Sequence, residues 1–220
     1  MPIDFYTCSA SAPCRSVAMT ARVVGIELKV NYVDLMAGEQ MKPEFLKINP
    51  QHNVPTIGDD GFYLNESRAI CTYLIEKYAK DDSLYPKDAQ KRALVNQRLY
   101  FDMGTFYDRF GKVYYPVMFG GATKLDEKAQ SSLKEAIGWL NSFLENSKYV
   151  AGDQLTVADI SLVSSASTME AGVDNIFDEY PNVKSWLERC KQEIEGYDET
   201  NAPGATGFGQ WLRGALAKLE

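Results

Sequence analysis

Two short segments carry most of the chemical information in this sequence of 220 residues. Asn49-Pro50-Gln51-His52-Asn53-Val54-Pro55-Thr56 leads into a β-prone run, and Asn65-Glu66-Ser67-Arg68-Ala69-Ile70 opens a helical one. Proline offers no donor to a sheet ladder, so a Val-Pro step belongs at a strand's first residue or at an edge, and its partner would be an extended ligand. Ser67 stands where a hairpin hands over to a helix, and helix N-termini take up carboxylates through free N–H groups and the positive end of the dipole. A backbone-pairing edge beside an anion site suits a small anionic peptide.

Ser11 is the candidate catalytic group. It precedes Pro13 at the start of the first helical run, where a hydroxyl can donate to a thiolate while the dipole favours negative charge. A free thiol with a pKa of ~8.5 is mostly protonated at neutral pH, and each unit of depression requires about 1.4 kcal/mol. A charge-assisted hydrogen bond of about 1.5–3 kcal/mol and a helix-terminus contribution of up to about 1 kcal/mol could supply two units. Serine also caps helices routinely, so Ser11 has a purely structural alternative, and Ser9 is a competing hydroxyl. Cys8 and Cys14 raise a rival chemistry, thiol–disulfide exchange, but they lack the C-x-x-C spacing that lets one thiol resolve the other's mixed disulfide. His52 is the only histidine and cannot build a metal site alone. Tyr107, Phe110, Tyr114, Tyr115, Phe119, Phe208 and Trp211 form a dense aromatic set that would either fill a core or line an apolar pocket.

The elements that must position these residues follow from periodicity. Residues 2–8 read as a strand, and Pro13 suits the first turn of a helix carrying Val17, Ala21, Val24 and Leu28 on one face. Leu28, Val30 and Tyr32 alternate as a second strand, and a short helix is expected near Pro43–Ile48. Val54–Ile57 and Phe62–Leu64 flank Gly58-Asp59-Asp60-Gly61 as a hairpin, and a helix is expected over Ser67–Tyr78. The order β-α-β-α-β-β-α describes an α/β, thioredoxin-like unit over residues 1–79, with a polar linker over 80–88 ending near Pro86. Residues 89–220 read as all-α. Leu94, Arg98, Phe101 and Thr105 recur at helical spacing, as do Leu133, Ile137, Leu140 and Leu144. Thr156 with Asp159 resembles a capping box, and Pro181 starts another helix through Trp186 to Ile194. The Gly-rich stretch Ala202 to Gly209 is expected to break the pattern before a short last helix.

Composition is that of an ordinary globular chain, and a net charge of −7 argues against a general nucleic-acid or anionic-membrane binder. The start, Met1-Pro2-Ile3-Asp4, has no signal-peptide pattern and no segment is apolar enough to span a bilayer, so a cytoplasmic location is expected. Four irregularly spaced cysteines read as reduced thiols, with no disulfide framework and no metal site.

Five segments in order carry a family resemblance: Ser11-Ala12-Pro13-Cys14-Arg15-Ser16-Val17, Asn49 to Pro55, Glu66-Ser67-Arg68-Ala69-Ile70, Gln97 to Thr105, and Gly152-Asp153-Gln154-Leu155-Thr156-Val157-Ala158-Asp159. They resemble the cytosolic glutathione S-transferases, specifically the insect delta class, over nearly the whole chain. The resemblance implies conjugation of glutathione, a cosubstrate and not a tightly bound cofactor, to hydrophobic electrophiles in detoxification, with Ser11 stabilising the thiolate. It implies that Leu35, Gln40, His52 and Asn53 lie along the bound peptide, His52 on its glycine carboxylate, and that Val54 pairs with the cysteinyl unit ahead of a cis Pro55. Gln40 stands where such chains often carry a second histidine. Glu66, Ser67 and Arg68 would hold the γ-glutamyl end, with a structural salt bridge as the alternative for Arg68. Tyr107, Phe110, Tyr115 and Phe119 match electrophile-pocket positions, with Phe208 and Trp211 from the tail. A homodimer would place Tyr100 at the interface and let Asp102 reach the partner's γ-glutamyl ammonium. Two alternatives keep the fold: a non-catalytic binder of glutathione or hydrophobic ligands, and a cysteine-type thiol transferase using Cys8 or Cys14.

Overall fold

The computed structural model describes residues 2–219. Met1 and Glu220, the end residues of the two expected units, lie outside it. Strand β1 (Ile3–Thr7) buries Ile3, Phe5 and Thr7 on alternate positions, the period-2 signature of a half-covered strand. Helix α1 (Ala12–Val23) starts where Ser11 caps it and proline stands in its first turn, and it leads to β2 (Leu28–Tyr32), parallel to β1. A short 3-10 turn precedes α2 (Pro43–Ile48), whose Phe45 meets Tyr6 edge-on at 5.7 Å. Strands β3 (Thr56–Asp59) and β4 (Phe62–Asn65) form the hairpin. Helix α3 (Ser67–Tyr78) then packs against α1. The sheet order is β2-β1-β3-β4, with β3 antiparallel to β1. Val54 and Pro55 stand just before β3, joined by a cis peptide. The strand starts at Thr56 and not at Val54, in keeping with a proline that has no donor for the ladder.

The second half is helical. Helix α4 (Ala89–Phe101) runs through a wide π turn at Asp102–Phe106 into α5 (Tyr107–Phe119). The buried stripe here is Val95, Leu99, Asp102, Phe106 and Phe110, one residue displaced from the expected Leu94, Arg98, Phe101 and Thr105. Apolar counting misplaces the face because a carboxylate occupies one of its core positions. On α6 (Glu127–Phe143) the expected stripe of Leu133, Ile137 and Leu140 is buried, as is Leu144 beyond it. Helix α7 (Val157–Gly172) is buried almost all round and opens with the Thr156/Asp159 capping box. Asp159 reaches further: it accepts from the backbone N–H of Val150 and from Trp186 Nε1, each at 2.9 Å, tying α8 (Pro181–Glu193) to the same carboxylate.

After the short α9 (Tyr197–Thr200), α10 (Ala202–Leu216) runs without a break, which corrects the expected interruption. Its glycines serve close approach and not chain breaking. A Cβ at Gly204 would overlap the carbonyl oxygen of Ser9, and one at Gly209 would overlap the backbone of Ala171, so α10 lies flush on α7 and on the loop after β1. Among the described residues, no helix is long and apolar enough to cross a membrane, and no group of three or more His, Cys, Asp or Glu could hold a metal.

Candidate active site

Sheet register brings the candidate segments together. Thr7 of β1 lies opposite Tyr32 of β2, Tyr6 opposite Thr56 of β3, and Thr56 opposite Asn65 of β4. The C-terminal ends of β1, β2 and β4 and the start of β3 therefore share one end of the sheet. The loops running on from those ends are Cys8–Ser11, Val33–Gln40, His52–Pro55 and Glu66–Ser67, so residues scattered over the first 67 positions form one edge.

Ser11 is the N-cap of α1, its Oγ accepting from the backbone N–H of Cys14 at 3.4 Å. A hydroxyl has two acceptor positions and one donor. Capping uses an acceptor, so the O–H stays available to a ligand, and the structural and chemical roles coexist. Ser9 is exposed and does not line the adjoining cavity. Cys14 is buried, and burial pushes its thiol up despite donors nearby, the wrong direction for a reactive thiolate. Cys8 is half-buried and does face the cavity.

That cavity, of about 350 Å³, joins the two halves of the chain. Ser11, Cys8 and Leu35 stand on the sheet side, and Tyr107, Tyr115, Phe119, Phe208 and Trp211 on the helical side. The Tyr107 and Tyr115 hydroxyls are 2.7 Å apart, and Trp211 closes edge-on against Phe119 with centroids 5.1 Å apart. Burial raises the Tyr107 phenol well above its ordinary value, so it stays neutral and accepts from Tyr115. Phe110, one of the expected pocket residues, does not line this cavity. It is 0 % exposed and lies behind the wall, against Tyr114 (4.9 Å), Phe208 (6.2 Å) and Tyr115 (6.3 Å). A second groove, of about 590 Å³, is also lined by Tyr107 and Tyr115 and contains no part of the Ser11 loop.

The remaining edge is prepared for a peptide. Asn49 Nδ2 donates to the Asn53 carbonyl (2.9 Å), Asn53 Oδ1 (2.8 Å) and Thr56 Oγ1 (2.9 Å), and Asn65 also donates to Asn53 Oδ1. This network fixes the loop that carries exposed His52, at φ +44°, and half-buried Val54. Gln40 Nε2 donates to the Leu35 carbonyl at 3.3 Å, while its Oε1 has no partner. Glu66 precedes α3 at φ +67°, a strained conformation for a residue with a side chain. No side chain caps the helix there, so its first N–H groups stay open to an anion. Ser67 is the first helical residue and not a cap; its Oγ accepts from Arg68 Nη1 at 2.9 Å.

Arg68 pairs with Asp102 at 2.6 Å, the salt-bridge alternative raised for it. Burial would lower the guanidinium, and Asp102 more than offsets this. Asp102 itself is 0 % exposed and also accepts from Ser161 (2.5 Å) and Ser165 (2.8 Å). Both of its oxygens are thus engaged inside its own subunit. Tyr100 is exposed.

A family model for the glutathione S-transferase N-terminal domain matches residues 5–82, and one for the C-terminal domain matches residues 106–200. This chain belongs to the glutathione S-transferases. A delta-class glutathione transferase from Nilaparvata lugens is 54% identical, with a TM-score of 0.94 over 97% of this transferase and 100% of that chain. A Bombyx mori glutathione transferase is 46% identical, with a TM-score of 0.91 over 96% of this chain and 98% of its own. A glutathione transferase homolog from Drosophila mojavensis, solved with bound glutathione, is 36% identical, with a TM-score of 0.90 over 97% of each chain.

Several residues of this transferase's site carry no sequence signal. Val33, Asp34 and Met36 line the cavity but read as an ordinary loop. Ser161 and Ser165 read as small helix residues. Arg15 had the clearest mark: a charge in a helix start whose neighbours Cys14, Ser16 and Val17 are all buried.

Proposed function

We propose that this glutathione transferase lays glutathione along the shared strand-end edge and attacks electrophiles held in the Ser11 cavity. Residues 1–79 hold the peptide, residues 89–220 supply the electrophile wall, and residues 80–88 join them. The Val54 backbone pairs with the cysteinyl unit as an added strand. His52, Asn53, Gln40 and Leu35 follow the glycyl end, while Glu66, Ser67 and the open start of α3 receive the γ-glutamyl end, with Arg68 holding Ser67 in place. The sulfur then falls beside Ser11. The O–H donates to the sulfur, the helix start favours its negative charge, and the ionised sulfur bonds to the electrophilic carbon as the leaving group departs with the electron pair. Holding both reactants in one site makes the step effectively unimolecular. The apolar, aromatic character of Phe119, Phe208 and Trp211 selects hydrophobic electrophiles, the chemistry of xenobiotic detoxification. Glutathione is a cosubstrate, and no resident cofactor enters the scheme. The four cysteines are all free, which suits a reducing compartment, and we place the enzyme in the cytoplasm as a homodimer with Tyr100 at the interface.

The observation that carries this reading is the Ser11 cap, which uses an acceptor position and leaves the proton at the cavity. The test is the ultraviolet thiolate absorbance of bound glutathione against pH. The native complex should titrate well below free glutathione, and Ser11→Ala should restore most of the difference. Depression that survives unchanged in Ser11→Ala would assign activation to another group.

A further inference from the structure

Arg15 is 2 % exposed, yet every hydrogen bond it makes ends on a neutral oxygen. Nε donates to Asn201 Oδ1 (2.9 Å), Nη1 to the carbonyls of Ser9 (3.3 Å) and Ala10 (2.8 Å), and Nη2 to the carbonyl of Ser164 (3.2 Å) and the Thr168 hydroxyl. None of the ion pairs among the described residues includes it. Arg68, buried nearby in the same way, has Asp102. A buried charge without a counter-ion is strongly disfavoured, and burial pulls the Arg15 guanidinium down to about 10.

The titratable groups facing Arg15 are Cys8 and Cys14 from the β1–α1 segment, Tyr107 and Tyr115 from α5, and Tyr197 from α9. They are thiols and phenols, not carboxylates. α7 offers only Ser164 and Thr168, and α10 meets it with Gly204. Asp34, the carboxylate in the cavity wall, is engaged by the N–H groups of Met36 and Ala37. Ala10, whose carbonyl Arg15 holds, precedes Ser11 and lines the cavity beside it.

We propose that Arg15 is the counter-charge of the glutathione thiolate and the positioning residue for Ser11. It pins the Ser9 and Ala10 carbonyls that set the cap, and its unpaired charge favours the ionised sulfur over the neutral thiol. The inference rests on the Ser11 cavity being the glutathione site.

The test supplies the absent counter-ion. Asn201→Asp keeps the oxygen that accepts from Arg15, and the Ser167 hydroxyl that now receives a proton from Asn201 Nδ2 can rotate to donate instead. In this variant the titration of bound glutathione should move up by about one pH unit, the size expected of one charge at protein-like dielectric. The kcat/KM below neutrality should fall about tenfold and converge with native at high pH. Affinity for S-methylglutathione, which has no ionisable thiol, should stay within about twofold. Arg15→Gln should act in the same direction, and if it fails to fold, Asn201→Asp decides alone. An unshifted titration in folded Asn201→Asp, with the native complex depressed, overturns this inference and leaves the proposed function standing. A loss of S-methylglutathione affinity without a titration shift makes Arg15 purely structural and overturns it as well. A native complex that titrates like free glutathione overturns both readings.

Discussion

Ser11 shows how one side chain serves the helix and the ligand at once, through different atoms. Removing it removes both roles. Ser11→Ala should lose about 1 kcal/mol of stability through the cap, seen as a fall of a few degrees in Tm. It should also lower kcat/KM by about 10- to 100-fold, the worth of one hydrogen bond to a charged group. Steady-state kinetics with a compact aryl halide would check the second figure, and an unchanged kcat/KM would remove Ser11 from the chemistry. Asp102 makes a contrasting case. It is held by Arg68, Ser161 and Ser165, and Asp102→Ala strands a buried guanidinium, which should destabilise the fold by about 3 kcal/mol or more in urea titration. Its role could not be read from sequence, because a carboxylate on a helix looks solvent-facing. Its three partners come from α3 and α7, and only tertiary packing brings them together.

At the scale of elements, one carboxylate gathers three donors from α3 onto the sheet. Asp59, at the end of β3, accepts from Tyr73, Lys77 and Tyr78, each at 2.7 Å. Burial alone would raise its carboxyl, and the three donors together hold it below the usual range. A depressed folded pKa gives stability that is present above the unfolded value and lost as pH falls through the folded one. Native protein should therefore lose urea resistance steeply on acidification, and Asp59→Asn should flatten that dependence; parallel curves for the two would refute the role. The boundaries of α2, α3 and α8 were legible because proline, hairpin and periodic signals agree there. The start of β3, the π turn and α10 were not. Each depends on what packs alongside: Gly204 and Gly209 look like breakers until Ser9 and Ala171 are seen against them.

At the scale of the molecule, the cavity belongs to neither half alone, since Ser11 and Leu35 face Phe119 and Trp211 across it. Truncating the far wall should change one substrate only. Trp211→Ala and Phe119→Ala should raise KM for bulky aromatic electrophiles several-fold and leave KM for glutathione nearly unchanged, which a two-substrate kinetic matrix would resolve. Tyr100 projects from the helical half at 65 % exposure, where the proposed homodimer would have its interface. In sedimentation, Tyr100→Ala should shift the protein towards monomer; identical profiles would move the interface elsewhere. The flush contact of Gly204 on the Ser9 carbonyl also bears on how transferases of this kind can be recombined. A chimera joining this sheet half to a helical half with alanine at position 204 would drive a methyl group into the loop that carries the nucleophile-activating hydroxyl. Such hybrids should fold yet turn over slowly, and restoring glycine at that one position should recover them, making a backbone atom nearly two hundred residues away a compatibility determinant for domain exchange.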